Sequence, residues 1–293
     1  MNINTSPTAI TEVSQPGSPT TKFTVRIQPS RSLFNLDLPT VWEFRELLYF
    51  LVLRDVSVRF KQTIIGVAWA VLPPLLTMVI FTVVFGHFAE IPSDGLPYSI
   101  FAFTALLPWN YFSQAINRSG VSLVSDSNLV KKVYFPRLII PLAGVMAPLA
   151  EFAVSFLVLL LMMLWFGIPL RWTVVTFPFF LLLGLLTAFA ASLWLAPLNA
   201  RYRDVGHAIP FLTQFWMFAS PVTYPLSIIP QKWRLLYGLN PLVGVIEGFR
   251  WALLGKQSPD FGVMFLSIFV VLALLLTGVV FFKWMERTLS DVL

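Results

Sequence analysis

Long stretches of the chain carry no charged residue, and their lengths predict how often it crosses a membrane. After Lys61, no Asp, Glu, Lys or Arg occurs until Glu90, a gap of 28 residues. About 20 apolar residues are enough for a helix to cross the hydrocarbon of a bilayer. Similar charge-poor intervals recur to the end of the chain, so we predict an all-α integral membrane protein with six transmembrane helices. The predicted spans are about 64–86, 98–117, 138–166, 173–198, 206–228 and 261–284.

Proline positions predict where these spans are irregular. Pro73-Pro74 should kink the first span, which neighbouring helices in a bundle tolerate. The fifth span contains several prolines, and we expect it to break near Ser220-Pro221. The connection 229–258 holds two segments that are too short to span and too apolar for an open loop. It predicts a re-entrant or interfacial outer hairpin between helices 5 and 6, provided that protein covers its backbone.

The chain before the first span divides into two predicted segments. Residues 1–38 are rich in Thr, Ser and Pro and lack periodicity, which predicts a disordered tail. Thr40 and Glu43 have the spacing of a capping box, so a helix should begin near residue 39 and continue to about 62. Most of its charges share one sector, which is typical of an amphipathic interface helix, although Arg45, Asp55 and Arg59 interrupt the pattern. Residues 63–293 would form the transmembrane domain.

Composition and charge set the class and the orientation. The 293 residues are 57% hydrophobic and only 12% charged, whereas soluble domains are nearer a quarter charged. The 20 basic residues lie between the apolar runs, which favours membrane topology over a nucleic-acid surface. With the N-terminus inside, fifteen basic residues fall in cytoplasmic segments and five outside. The positive-inside rule therefore places both termini, including the tail, in the cytoplasm.

Candidate chemistry on the chain itself is sparse. There is no cysteine, and the two histidines, His87 and His207, are too isolated for a metal centre. No apolar segment near the N-terminus predicts a cleavable signal peptide. A phosphate-binding Gly-x-x-x-x-Gly-Lys-Ser/Thr loop is absent, since Gly255-Lys256-Gln257 does not fit it. We therefore expect no enzyme activity and no cofactor on this chain, and if transport is driven by ATP, the ATPase is another polypeptide or another domain.

Several motifs follow one another in a recognisable order. The charged entrance to the first span reads LRDVSVRFKQTIIGVAWAVLPP over 53–74, and NLVKKVYFPR follows at 128–137. NARYRD occupies 199–204 and SPVTYP occupies 220–225, ahead of Asn240-Pro241, Glu247 and Arg250-Trp251. From about residue 40 to the C-terminus, the chain resembles ABC-2-type polysaccharide export permeases, the transmembrane subunits of ABC transporters.

The resemblance implies a homodimer completed by two copies of a nucleotide-binding ATPase subunit. Such an exporter moves lipid-linked polysaccharide (of O-antigen, capsule or teichoic-acid type) outward across the bacterial inner membrane. The interface helix would lie at the membrane surface beside the entrance for the lipid-linked end. The residues of that helix that we single out are Trp42, Arg54, Asp55, Arg59 and Lys61.

The resemblance also implies sites for the ATPase subunit and for the outer hairpin. Contact with the ATPase falls on 126–137, with 201–204 as a second candidate. The residues concerned are Asp126, Asn128, Lys131, Lys132, Arg137, Arg201, Arg203 and Asp204. The alternative is that the basic residues only set topology, or that 201–204 forms a local ion pair. The hairpin residues are Tyr224, Asn240, Glu247 and Arg250, of which Glu247 and Arg250 should pair at spacing i, i+3.

Aromatic residues on the second and fifth spans are candidates for the transport path. Flat rings offer apolar faces on which sugars can slide without a tight polar grip. We therefore predict a channel lining of Trp109, Tyr111, Phe215 and Trp216. The alternative is ordinary packing and interface anchoring, which aromatics provide in any membrane protein.

Other function classes remain open at this point. Glu151 lies within an apolar interval, where a carboxylate either takes part in proton coupling or is a structural, hydrogen-bonded group. A proton-coupled secondary transporter would be expected to show internal repeats. A membrane-embedded transferase would need an acid or His cluster, for which only His87, Glu90 and Asp94 are near one another. An ABC-2 exporter of a small hydrophobic substrate (drug, haem or lipid) would share the fold.

Overall fold

A computed structural model describes residues 38–60, 68–255 and 258–292, and all regular structure within these ranges is helical. The predicted tail and Lys61 lie outside the described residues. The α-helices, in chain order, are α1 (Leu38–Glu43), α2 (Arg45–Phe60), α3 (Ala68–Phe81), α4 (Tyr98–Ser125), α5 (Ser127–Lys132), α6 (Ile139–Met146), α7 (Leu149–Trp165), α8 (Phe177–Arg201), α9 (Asp204–Phe218), α10 (Gln231–Tyr237), α11 (Pro241–Leu254) and α12 (Phe261–Val292). A π-helix, Thr82–Phe88, extends α3, and 3₁₀-helices Trp172–Thr176 and Leu226–Ile228 precede α8 and α10.

Four helical stretches of the described chain are long and apolar enough to cross a membrane. They are Ala68–Phe88, Ile139–Trp165, Trp172–Arg201 and Phe261–Arg287. Each coincides with one of the six predicted spans. The other two predictions correspond to α4, which is long but contains Asn110, Gln114 and Arg118, and to α9, which has only 15 residues.

The helix α4 is the centre of the molecule. It packs against α3, α6, α7, α8, α9 and α11, and nearly all of its first half is buried. Phe101, Phe103 and Phe112 fill the core together with Phe180 and Phe249. Because protein surrounds α4, its polar side chains face other helices, which explains why it is less apolar than the four candidate spans.

Proline and glycine positions shape the helices much as the sequence indicates. Pro73-Pro74 lies inside α3, where the Thr77 hydroxyl donates a hydrogen bond to the carbonyl of Pro73 (2.9 Å). The helix α9 ends at Phe218, so the expected break near Ser220-Pro221 is confirmed. Two short helices, α10 and α11, occupy the predicted outer hairpin.

The backbone of α11 is covered by protein. Most of its residues are buried against α4, α8 and α12. At Gly248 the ring of Phe180 approaches so closely that any Cβ would collide with it. The helix ends at Gly255, whose positive φ of 61° is readily adopted by glycine. The condition on which the hairpin prediction depended, a covered backbone, is therefore met for α11.

Candidate functional site

Polar side chains collect at the two ends of α4. The first group, which we call the charged cluster, consists of Arg54, Asp55, Arg59, Arg118, Asp126 and Glu151. The second group, the hairpin cluster, is centred on Asn240 and Arg250. Since α4 has 28 residues, its ends are about 42 Å apart at a rise of 1.5 Å per residue.

Arg54 joins α2 to the junction between α4 and α5. Its Nη1 and Nη2 donate to the two carboxylate oxygens of Asp126 at 2.9 and 3.1 Å, a bidentate arrangement. The same guanidinium donates through Nε and Nη2 to Oδ1 of Asp55, at 3.0 and 2.9 Å. The hydrogen bonds to Asp126 raise the pKa of Arg54. One arginine thus holds two carboxylates, one of its own helix and one of the segment predicted to contact the ATPase.

A second ion pair joins α2 to α7. The Nε of Arg59 lies 2.6 Å from Oε1 of Glu151, whose side chain is only 5% exposed. Arg118 of α4 donates to the backbone carbonyl of Asp55 at 3.3 Å and approaches its carboxylate at 3.9 Å. A buried carboxylate normally has a partner, and Arg59 supplies one for Glu151. The contact favours a structural role for Glu151 over proton coupling.

The helix α2 carries both charged residues that contact the bundle and exposed apolar residues. Arg54 and Asp55 are turned towards α4, whereas Tyr49, Phe50 and Val58 are exposed. Leu51 is buried beside Leu123, Ile139 and other residues of the bundle. Asp55 and Arg59, which interrupt the amphipathic pattern of the sequence, are among the residues that bind the bundle.

The residues predicted to contact an ATPase subunit fall into two groups. Asn128, Lys131 and Lys132 of α5 are exposed. Asp126 and Arg137 contact the chain itself: Asp126 pairs with Arg54, and Nη1 of Arg137 donates to the carbonyl of Glu286 at 2.9 Å. The exposed part of the 126–137 segment therefore lies on α5 and on Val133 and Tyr134, which directly follow it.

The second candidate segment lies between α8 and α9. Arg201, Arg203 and Asp204 are all exposed there. In the described part of the chain no ion pair joins these three residues, and the Arg201 guanidinium lies 5.5 Å from the Tyr202 ring centroid. The alternative of a local ion pair at 201–204 finds no support in this geometry.

Arg250 is the most heavily engaged residue of the hairpin cluster. Its Nη1 lies 2.9 Å from Oε1 of Glu247, which confirms the predicted pair. Its Nη2 donates to the carbonyl of Val222 at 3.0 Å, and Nη1 also reaches the carbonyl of Tyr224 at 3.4 Å. The guanidinium lies 3.6 Å from the centroid of the Phe101 ring, a close cation–π contact. A buried arginine thus fixes the chain after α9 to both α11 and α4.

Asn240 connects the end of α9 to the start of α11. Its Oδ1 accepts from the backbone N–H of Leu242 at 3.1 Å, as an N-cap, and from Nε1 of Trp216 at 3.0 Å. Its Nδ2 donates to the Ala219 carbonyl and to Oγ of Ser220, both at 2.9 Å. All of its amide capacity is used within the hairpin cluster.

Tyrosine hydroxyls complete this cluster. The Tyr224 hydroxyl donates to the Phe218 carbonyl at 3.0 Å and lies 2.9 Å from the Tyr237 hydroxyl. The hydroxyl of Tyr98, at the start of α4, donates to the Thr223 carbonyl at 2.6 Å. Burial raises the pKa of Tyr237, so this hydroxyl stays protonated and can hydrogen-bond at any physiological pH.

The four aromatic residues predicted to line a channel do not share one surface. Trp109 and Tyr111 are 4% and 3% exposed, and the Tyr111 hydroxyl donates to the Val145 carbonyl at 3.2 Å. Phe215 is 62% exposed on α9. Trp216 is half-buried and packs edge-on against Phe112, with ring centroids 5.2 Å apart. In this conformation Trp109 and Tyr111 are buried and cannot contact a substrate at the protein surface.

The contributors to these clusters that were not singled out from the sequence include Arg118, Phe101, Tyr98 and Tyr237. Arg118 was counted only as a basic residue that sets topology, although its place within α4 is a signal, because a charge inside a long apolar helix usually has a partner. Phe101 gave no signal, because an aromatic residue beneath an arginine looks the same in sequence as one in a plain core.

The amino-acid sequence of the chain is similar to those of known membrane transport proteins over most of its length. The profile of a family described as "ABC-2 type transporter" matches residues 46–254. The O-antigen export system permease protein RfbA of Myxococcus xanthus is 32% identical over 224 residues, which cover 75% of this chain and 85% of the relative. An RfbA of Klebsiella pneumoniae is 27% identical over 207 residues, 70% of this chain and 79% of the relative. The polysialic acid transport protein KpsM of Escherichia coli is 25% identical over 254 residues, 82% of this chain and 93% of the relative.

Proposed function

The chain belongs to the ABC-2 type transporter family, and from that premise we propose that it is the permease subunit of an ATP-driven exporter of lipid-linked polysaccharide. The observation that carries the substrate class is the match to O-antigen and polysialic acid export proteins over most of their length. The permease is a transport subunit and not an enzyme, and ATP and Mg bind to a separate nucleotide-binding subunit.

The membrane arrangement in this proposal has six spans. The four apolar helices make the chain a multi-pass membrane protein. The helix α4, about 42 Å long, exceeds the roughly 30 Å of bilayer hydrocarbon and is the second span. The helix α9 together with the chain after it is the fifth. Both termini lie in the cytoplasm, as the distribution of basic residues favours. The membrane is the inner membrane of a bacterial cell.

We place α2 at the cytoplasmic membrane surface, beside the entrance for the lipid-linked end of the polysaccharide. Its exposed Tyr49, Phe50 and Val58 support this position, because such residues are stable against lipid. Its Arg54 and Arg59 form ion pairs with the bundle. The hairpin of α10 and α11 then lies on the outer side.

An ATPase subunit docks on α5 in this proposal, with the 201–204 segment as a second contact. The exposure of Asn128, Lys131 and Lys132 supports the first site. Two copies of the chain and two ATPase subunits form the exporter. The exposed Phe215 and the neighbouring Trp216 line the path between the two copies, a position supported by the exposed aromatic surface of α9.

The test is purification of the chain in mild detergent from its own cell, with ATP hydrolysis measured on the complex. We expect a separate ATPase subunit to co-purify, and Lys131→Ala with Lys132→Ala to reduce its recovery. Lys232→Ala, at an exposed lysine of α10, is the matched control and should leave recovery unchanged. Recovery of the chain alone, under every gentle detergent tried, would contradict the proposal.

The substrate class is tested separately in vesicles that contain the purified complex. Labelled lipid-linked polysaccharide should become accessible on the side opposite the ATPase when ATP is present. Transport of small hydrophobic compounds without transport of the polysaccharide would contradict the proposed substrate. The chain would then be assigned to the small-molecule exporters of the same family.

A further inference from the structure

The two ion pairs that connect α2 to the bundle differ in burial. In the pair Arg54–Asp126, which we call the latch, the side chains are 38% and 20% exposed. In the pair Arg59–Glu151, which we call the anchor, they are 41% and 5% exposed. Glu151 is the one buried carboxylate of the two pairs. The latch therefore borders solvent on both sides, whereas the anchor has one charge enclosed by the protein.

This difference decides which pair opens more easily. When the latch opens, both of its partly exposed ions can be solvated, which limits the free-energy cost of separating them. When the anchor opens, the enclosed Glu151 carboxylate loses its ion-pair partner and keeps the side-chain hydrogen bond from Gln114, and the loss of an ion-pair partner by an enclosed charge is costly. A force on α2 would therefore separate Arg54 from Asp126 before it separates Arg59 from Glu151.

Arg54 also has a second partner ready. Oδ1 of Asp55 already accepts two hydrogen bonds from the guanidinium. If Asp126 moves away, Arg54 keeps an ion pair at Asp55, and Arg118 stays near the same carboxylate. The open and closed arrangements both leave Arg54 paired, which is the property expected of an element with two stable positions.

Asp126 is placed where movement of α5 would reach it first. It is the single residue between α4 and α5, with non-helical dihedral angles of φ −97° and ψ 21°. The exposed Asn128, Lys131 and Lys132 follow directly on α5. A displacement of α5 relative to α4 must pivot at this junction and pull on the Asp126 carboxylate.

We propose that α2 acts as a lever, held at Arg59–Glu151 and released at Arg54–Asp126 when the ATPase subunit displaces α5. Arg54 and Arg59 are five residues apart, about 7.5 Å along the helix axis, so the pivot and the released contact are separate in space. Arg54 and Asp126 are positioning residues that couple α5 to α2. The inference rests on the proposed docking of the ATPase on α5.

A distance measurement on the assembled exporter tests the lever with both ion pairs intact. The chain has no cysteine, so pairs of introduced cysteines carry the only spin labels on it. Tyr49→Cys with Asn128→Cys reports on the latch, and Val58→Cys with Ala153→Cys reports on the anchor; all four positions are exposed. The labelled chain is diluted with unlabelled chain so that most labelled exporters contain a single labelled copy.

We expect a non-hydrolysable ATP analogue to change the first distance by several ångströms and to leave the second unchanged. Equal changes in both distances would overturn the lever, because α2 would then move as a whole. No change in either, in a complex that hydrolyses ATP, would overturn it as well. Absence of an ATPase subunit from the complex would instead be a failure of the proposed function, and the two results are distinguishable in the same sample.

A second test uses the latch residues themselves. Asp126→Asn should reduce polysaccharide exported per ATP hydrolysed about fivefold or more, while ATP hydrolysis continues. The double variant Arg54→Asp with Asp126→Arg restores an ion pair of reversed sign and should recover much of the coupling. Ser125→Asp, one residue away at an exposed position at the end of α4, is the control for a changed local charge. Normal coupling in Asp126→Asn would contradict the proposal.

Discussion

The two ends of α4 are connected to the rest of the chain in different ways. Near Ser125, the connections are ion pairs between partly exposed side chains, such as Arg54 with Asp126. Near Tyr98, the connection is a buried Arg250 whose partners are Glu247, two backbone carbonyls and the ring of Phe101. The first kind of contact joins charged side chains that can turn to other partners, and the second joins a charged side chain to groups that are fixed in the backbone or the core.

This difference indicates which end of α4 can change its contacts. A guanidinium released by Asp126 finds Asp55 within hydrogen-bond distance. A guanidinium released by Val222 and Tyr224 would leave those carbonyls without a donor and Glu247 without its ion-pair partner, which is expensive. We therefore expect the charged cluster to rearrange during transport and the hairpin cluster to stay as it is.

The largest effect is expected at Arg250. Arg250→Met removes the charge and keeps much of the volume, but it leaves Glu247 without its partner and two carbonyls without a donor. The loss of a buried ion-pair partner should lower the free energy of unfolding by about 3–5 kcal/mol. Unfolding of the purified chain in detergent, followed by circular dichroism against temperature, measures the change.

Arg171→Met is the matched control for Arg250. Arg171 is exposed and makes one hydrogen bond, from Nη1 to the Gly255 carbonyl at 3.0 Å. Its removal should cost about 1 kcal/mol. If both variants lost the same stability, burial would not be what distinguishes Arg250.

The anchor should respond unequally to removal of its two partners. Arg59→Gln removes the ion-pair partner of the buried Glu151 carboxylate, and we expect a loss of about 3 kcal/mol in the free energy of unfolding. Glu151→Gln leaves a 41% exposed Arg59 that can turn to water, with a loss of about 1 kcal/mol. The same unfolding measurement compares them. The reverse order would show that Glu151 is not the enclosed partner and would remove the distinction between anchor and latch.

Asn240→Ala should destabilise the hairpin cluster by about 2 kcal/mol, because it removes the N-cap of α11 together with the hydrogen bonds to Trp216, Ala219 and Ser220. Asn117→Ala is the comparison, since Asn117 donates to Ser113 within its own helix and links no other element. That control should lose about 0.5 kcal/mol. Equal losses would mean that the bridge between α9 and α11 adds nothing to hairpin stability.

The sequence was informative where a contact lies within one helix or one interval. The Glu247–Arg250 pair follows from its i, i+3 spacing, and the end of α9 follows from Ser220-Pro221. The four apolar spans follow from charge-poor intervals longer than the bilayer requires. These are local properties, which a linear pattern records.

Contacts between distant segments were not predictable from the same patterns. Arg54 and Asp126 are 72 positions apart, and no local pattern distinguishes a paired arginine from a solvated one. Burial of Trp109 and Tyr111 depends on the helices that surround α4, whereas hydrophobic periodicity is the same against lipid and against protein. Asp55 and Arg59 interrupted the amphipathic pattern for a physical reason, because their partners lie inside the bundle.

The smallest effect on stability is expected at the latch. In a double-mutant cycle with Arg54→Ala and Asp126→Ala, the coupling energy should be below about 1 kcal/mol, because the pair is partly exposed and Asp55 remains as a partner for Arg54. The same cycle for Arg250 and Glu247, measured by unfolding in the same detergent, should give a clearly larger coupling, because the Arg250 side chain is only 8% exposed. A latch coupling as large as that of the buried pair would mean that the contacts at both ends of α4 are equally hard to break. Arg54 could then not exchange Asp126 for Asp55 at low cost, and the movement of α2 would need another origin.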